Sequence, residues 1–204
     1  MNTNEQLIEH LSKNTRVLQT NKIRDAFKKI DRIDFVPEGQ KEEAYEDHPL
    51  PIGFGQTISQ PTTVVFLLEL LDLKPDSRVL DVGSGSGYTT ALLASIVSKG
   101  EVLGIEIIPE LAEMGKTNLA KYNFPNAKIE RQDGRSIPTS GSSEFDRILV
   151  NAAGEKIPEN LLEILKPGGI MVIPIKQSVI KVHKKESDKI ELTEYPGFAF
   201  VPLK

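Results

Sequence analysis

The chain has no cysteine in 204 residues, so its fold uses neither disulfides nor thiolate-bound metal. Histidine is scarce as well, and the three at positions 10, 48 and 183 make no ligand cluster. There is no surplus of positive charge: 25 basic and 29 acidic side chains leave a formal charge of −4, too little cationic field to grip a phosphate backbone. No stretch approaches the roughly 18 apolar residues of a membrane span, and the polar opening "MNTNEQLIEHLSKN" lacks the apolar centre of a targeting segment. Internal repeats and low-complexity tracts are missing too. These absences lead to the expectation of a soluble cytoplasmic protein that binds neither nucleic acid nor membrane; a monomer is expected independently of them. A hydrophobic content of 39% is enough to build one domain over residues 1–204.

Three segments are expected within it. In residues 1–74, Leu7, Ile8 and Leu11, then Ile23, Ala26, Phe27 and Ile30, fall at helical spacing and predict a helical cap. Pro49, Pro51, Gly53, Gly55 and Pro61 crowd residues 47–61, which predicts a long loop without regular structure, pinned by Leu50, Ile52, Phe54 and Ile58. Residues 75–175 alternate strand-like and helix-like stretches. Strands are predicted at 78–83, 101–107, 127–132, 145–153 and 168–175, with helices up to about 98, from Pro109, and over "IPENLLEILK". Parallel strands need crossover connections, so this pattern predicts an α/β fold with a doubly wound, mostly parallel sheet. In residues 176–204, "SVIKVHKK" and "KIELTEY" predict a hairpin, and "FAFVPL" is expected to close the sheet edge.

The chemistry is densest in "LDVGSGSGYTT", residues 80–90. A glycine-rich turn between strand and helix lets a ligand approach the backbone and meet the free N–H groups of the helix start. Triphosphate is disfavoured, because Tyr88 and Thr89 stand where a phosphate-binding loop needs lysine and a hydroxyl. A dinucleotide is weakened but not removed, since Gly83, Gly85 and Gly87 give G-x-G-x-G without the third glycine of the dinucleotide fingerprint. Asp81 would repel a pyrophosphate but suits a ligand with a cationic ammonium, such as S-adenosylmethionine. Glu106 ends the next predicted strand, a position from which a carboxylate accepts ribose hydroxyls. Asp133 and Gly134, at the end of the third, are placed to take an adenine amino group and to leave room for its ring. Each acid alone could be a surface group and "DGR" a simple turn. All three sit at the carboxyl ends of neighbouring strands, where open α/β sheets bind ligands.

The segments "GFGQTISQP", "LDVGSGSGYTTALLA", "GIEIIPEL", "DGR" and "LLEILKPGGIMVIPI" occur in this order. Together they resemble the protein-L-isoaspartate O-methyltransferase family, in its bacterial or archaeal form, from about Tyr45 to Ile175 with an echo in the terminal "FVPL". The resemblance implies a Rossmann-like fold that transfers a methyl group from S-adenosylmethionine to the carboxylate of L-isoaspartyl residues in damaged proteins and peptides. The ester then closes to a succinimide, which starts repair. It implies donor contacts from Asp81, Gly83, Ser84, Gly85, Gly87, Glu106, Asp133, Gly134 and Asn151. Substrate contacts fall to Gln56, Thr57, Ile58 and Ser59, with Ser59 in the active-site role. The acceptor is already ionised at neutral pH and the donor is activated, so positioning rather than a strong base is expected to dominate.

Ser59 has a second reading, as the cap of the helix that starts near "QPTTVV". His48 reads as a surface residue, and "KVHKKESDK" as a solvated hairpin end. "NAAG", from Asn151, replaces the polar-proline-proline-aromatic signature of many amino-methylating enzymes. The chain departs from the family where Thr62, Thr63 and Val64 stand in place of histidines, where Glu155 and Lys156 replace a proline, and where a thinner lid is expected because the sequence stops at Lys204. Two other readings therefore stay open: a methyltransferase of another small-molecule or RNA acceptor, and a non-catalytic nucleoside-binding module.

Overall fold

Two short helices open the chain, as the apolar spacing predicts, in a computed structural model that describes residues 1–137 and 145–203. Helix α1 (Asn4–Glu9) is capped by the Thr3 hydroxyl, which accepts from the Gln6 N–H, and continues into a π-helical turn over His10–Asn14. Helix α2 (Asn21–Lys29) places Lys28 and Lys29 at its end, where cations oppose the helix dipole favourably. Leu7, Leu11, Ile23, Phe27 and Ile30 are buried together with residues of the central sheet and its helices. The cap thus shares a core with the rest of the chain.

The stretch expected to be irregular is a hairpin. Strand β1 (Leu50–Gly53) pairs antiparallel with β2 (Gln56–Ile58). Pro51 is tolerated because a two-stranded ribbon leaves an edge without a ladder partner, and Gly53 supplies the φ of 94° that the bend requires. Leu50, Ile52 and Ile58 anchor the ribbon as predicted, each no more than 5% exposed. Phe54 does not. It stands at the tip, 54% exposed. Its φ of 55° is a left-handed conformation that costs a bulky residue on the order of 1 kcal/mol or more.

Helix α3 (Pro61–Leu70) leads into the alternating region: β3 (Arg78–Val82), α4 (Tyr88–Ile96), β4 (Glu101–Glu106), α5 (Pro109–Ala120), β5 (Ala127–Arg131), β6 (Phe145–Val150), α6 (Glu159–Glu163) and β7 (Leu165–Ile175). Strands β8 (Ser178–Lys184) and β9 (Ile190–Pro196) follow as the predicted hairpin. The sheet order is β5-β4-β3-β6-β7-β8-β9, parallel up to β7 and antiparallel beyond it. Strand β7 starts earlier and α6 stops sooner than expected, since Pro167 and Gly168 cannot continue a helix. "FAFVPL" does not close the edge, which β9 forms. Gly197, at a φ of 96°, turns the chain away, and Pro202 bridges to Ala153 above the carboxyl end of β6.

Period-two alternation assigns the two faces of the sheet. Val79, Leu149 and Val172 pack under α4 and the cap, whereas Leu80, Val82, Ile148, Val150 and Met171 pack with Leu161 and Ile164 of the α6 region. Asp81 has the parity of Val79 and so lies on the α4 side. Strand β3 has β4 on one side and β6 on the other, making it the point where strand order reverses and where such sheets open a crevice.

Candidate active site

The turn after β3 is fixed by main-chain bonds before any ligand is considered. The N–H groups of Gly83 and Ser84 both donate to the Ile105 carbonyl, at 2.9 and 3.0 Å, and that of Gly87 donates to the Ser84 carbonyl at 2.8 Å. Two positions there favour glycine. Gly85 has a φ of 53°, and a Cβ on it would come within 3.2 Å of the Ile52 side chain. Gly87 has a φ of 90°, and its Cβ would press on the Gly115 carbonyl at 2.9 Å. Gly85 therefore admits the hairpin close to the turn, and Gly87 lets α4 and α5 approach.

Glu106 ties this turn to the next strand. One carboxylate oxygen accepts from the Gly85 N–H and the other from the Ile108 N–H, both at 2.9 Å. Each keeps a further acceptor position. Asp81 is fully buried, and its carboxylate accepts from the hydroxyls of Thr89 and Thr90 and from the Asn151 side-chain amide, at 2.8, 2.6 and 2.7 Å. Burial pushes its carboxyl above the usual aspartate range against those three donors.

These elements surround one cavity. Its lining includes Gly83, Ser84, Gly85, Glu106, Gly134 and Asn151 from the sheet side, and Gln56, Thr57, Ile58 and Ser59 from the hairpin side. Ten of the sequence-predicted site residues thus meet there. Three do not. Asp81 lies beneath the lining with its oxygens taken, so it reaches the cavity only through Asn151 and Thr89. Gly87 is spent on helix packing. Asp133 turns outward: its carboxylate accepts from the Arg135 backbone and guanidinium at 2.8 to 3.1 Å, which holds its carboxyl below the usual range. Gln132, the preceding residue, lines the cavity in its place.

The Ser59 cap reading is not met. The N-cap of α3 is Gln60, and the Thr62 N–H is capped instead by Asp47, which also accepts from the Thr62 hydroxyl. The Ser59 carbonyl accepts from Arg32 at 3.1 Å. Arg32 is wholly buried, and its guanidinium also donates to the carbonyls of Ala44 and His48, at 2.7 and 3.2 Å. One cation therefore clasps both ends of the segment that carries the hairpin. Its position in "IDRIDF" gives no sign of this, because the acceptors are main-chain groups distant in sequence.

Tyr88, also in the lining, packs its ring against Phe27 and Phe35. Among the described residues its hydroxyl has no partner, nor do Ser84 Oγ and Asn151 Oδ1. A buried polar atom left unpaired costs on the order of 1–3 kcal/mol. The Tyr88 hydroxyl sits near Arg32, Asp31 and Tyr122 on the cap side, whereas Ser84 and Asn151, with the acceptor capacity of Glu106, belong to the lining and fit a polar ligand of the nucleoside class. Apolar walls come from Ile52, Val64, Ile105 and the returning Val201, Pro202 and Leu203, which sequence reasoning had placed on the sheet edge.

Among the described residues no group of three or more His, Cys, Asp or Glu is arranged to hold a metal ion, and no helix is long and apolar enough to cross a membrane. A family model described as protein-L-isoaspartate(D-aspartate) O-methyltransferase matches residues 2–204. A protein-L-isoaspartate O-methyltransferase of Methanopyrus kandleri is 44% identical over 98% of this chain and 90% of its own length. A second such protein, from Archaeoglobus fulgidus, is 44% identical over 98% of this chain and 92% of its own. Among solved structures, a Plasmodium falciparum protein described as a protein-L-isoaspartate O-methyltransferase, in complex with S-adenosyl-L-homocysteine, superposes with a TM-score of 0.89 at 26% identity. That match covers 100% of this chain and 99% of the other. With a sequence match over nearly its whole length, the chain belongs to the protein-L-isoaspartate(D-aspartate) O-methyltransferase family.

Proposed function

We propose that the chain methylates the free carboxylate of L-isoaspartyl residues in proteins and peptides, with S-adenosylmethionine as donor. The observation that carries this reading is the meeting, in one cavity, of the glycine turn and Glu106 with the hairpin residues Gln56 to Ser59. When bound, S-adenosylmethionine supplies a methyl group on a cationic sulfur, activated for displacement.

This chain's residues position the two partners. Glu106 accepts the ribose hydroxyls with its remaining lone pairs. Gly134 lies in the lining without a side chain and would leave room for the adenine ring; a Cβ there would press on Val82, itself in the lining, at 2.9 Å. Asn151, with its amide nitrogen held by Asp81, would hold the ammonium of the donor through its unpaired oxygen. On the other side the Ser59 hydroxyl would donate to one oxygen of the substrate carboxylate and leave the other free toward the donor side of the cavity. Gln56 and Thr57 assist. Ile52, Ile58, Val64 and Val201 keep out water that would solvate both charges. A carboxylate with a pKa of about 4 is ionised at neutral pH, so no side chain need remove a proton. The following backbone nitrogen then attacks the ester and expels methanol, and hydrolysis of the succinimide returns part of the material as normal aspartate.

The shared core of cap and sheet supports residues 1–204 acting as one catalytic unit. The formal charge of −4 favours polypeptide over nucleic acid as partner. A cytoplasmic monomer completes the proposal. The test is transfer of labelled methyl to a peptide containing isoaspartate and to its aspartate twin. Base-labile label on the first alone is the expected result, and equal labelling, or none, overturns the reading.

A further inference from the structure

The tip of the β1–β2 hairpin is built against the preference of its residues. Phe54 and Gly55 form the two-residue turn, both with positive φ, 55° and 70°. Such turns favour asparagine, aspartate or glycine in the first place and glycine in the second. Gly55 obeys the rule and Phe54 breaks it. Among the described residues, the non-glycine positions with positive φ are Arg16, Phe54, Asp72, Asn123, Lys176 and Asp188, and Phe54 is the one aromatic among these.

Burial does not offset that strain. The Phe54 side chain is more than half exposed, and a Cβ placed on either neighbouring glycine would find nothing within 4 Å, so the turn stands in open space. Among the described residues, the other large exposed apolar side chains, Ile190 and Leu192, belong to the edge strand β9. An asparagine at position 54 would serve both the turn and the solvent better. The ring therefore has a use that folding does not supply.

Its location indicates the use. Gln56, two residues on, lines the cavity, and Thr57, Ile58 and Ser59 follow in the same lining. Two residues span at most about 7 Å, which puts Phe54 at the rim. An isoaspartyl residue seated with its carboxylate at Ser59 belongs to a longer polypeptide that has to leave the cavity. An extended chain advances about 3.3 Å per residue, so its flanking residues pass over the hairpin tip. Building on the function proposed above, we propose that Phe54 is a specificity-determining residue that docks an apolar or aromatic side chain flanking the isoaspartyl residue of the substrate polypeptide. The ring is presented rigidly, since the anchored strands on either side of it limit its freedom, and the half of its surface now in water is covered when the substrate binds.

The experiment compares the wild type with Phe54→Asn, which suits the turn, and Phe54→Tyr, which keeps a ring. Two isoaspartyl peptides are used, one flanked by leucine and tyrosine and one by glycine. For Phe54→Asn, KM for the apolar-flanked peptide rises about 5- to 10-fold, as expected for half a ring no longer buried. The kcat, the affinity for S-adenosylhomocysteine and KM for the glycine-flanked peptide stay at wild-type values, and the melting temperature is equal or higher. Phe54→Tyr restores the low KM. Unchanged KM for the apolar-flanked peptide in Phe54→Asn overturns the inference, as does an equal loss on both peptides together with kcat, which marks a structural role. Failure of the wild type on both peptides overturns the function reading and this inference with it.

Discussion

Ser59 and Glu106 face the same cavity, yet their substitutions should separate into different kinetic constants. Removing the Ser59 hydroxyl takes away a hydrogen bond to a charged oxygen, a contribution of about 1.5–3 kcal/mol. Ser59→Ala is therefore expected to lower kcat about 10- to 100-fold while the affinity for S-adenosylhomocysteine, measured by calorimetry, is unchanged. Equal loss in both would refute the acceptor-side role. Glu106→Gln should do the reverse, weakening S-adenosylhomocysteine roughly 10-fold, because a neutral amide accepts less strongly from the Gly85 N–H and from ribose hydroxyls. At this scale the sequence discloses which residues come to the cavity better than which way they point. The glycines, Glu106 and the Gln56–Ser59 run are set by chain direction at strand ends. Asp81 and Asp133 are governed instead by neighbours, the Thr89, Thr90 and Asn151 donors for one and Arg135 for the other, and no local pattern announces such partners.

The hairpin and the strap that holds it behave as one element. Arg32 has main-chain carbonyls rather than a carboxylate as its partners, so a lysine keeps the charge but cannot reach Ala44, His48 and Ser59 together. Arg32→Lys is expected to raise amide hydrogen exchange over residues 44–59 selectively, with exchange in β3 and β6 unaltered; uniform acceleration would show instead a general loss of stability. Gly87→Ala should destabilise more broadly, by about 2 kcal/mol or more in urea unfolding, since it combines a left-handed φ with a contact onto the Gly115 backbone. Strands and helices of the central sheet were readable because burial imposes strict periods on them. The hairpin was not, because two short strands rich in proline and glycine carry no period of their own and are held by contacts from Arg32 and the glycine turn.

Across the whole molecule, acid should loosen two joints, one inside the cap at Asp47 and one inside the sheet at Asp146. Burial pushes the Asp47 carboxyl upward, but the hydrogen bonds from Thr62 and His10 outweigh it and leave it below the usual aspartate value. Asp146 is likewise held low, the Arg78 N–H and Lys166 overcoming its burial. A carboxyl depressed in the folded state adds stability above its unfolded value of about 3.9 and loses it as pH falls through the folded value. The stability gap between wild type and Asp47→Asn, measured by urea unfolding, should be open at pH 7 and close as pH falls below the unfolded aspartate value and through the lower folded one; a gap independent of pH would assign the loss to packing. One pairing described above bears on how long the molecule itself endures. Asp133–Gly134 is the single Asp-Gly step in the sequence, a bond prone to ageing because a bare glycine nitrogen can attack the preceding carboxyl once that group is protonated. Arg135 donates to both carboxylate oxygens and holds the carboxyl below its usual range, which disfavours the protonated form that ring closure at this step requires.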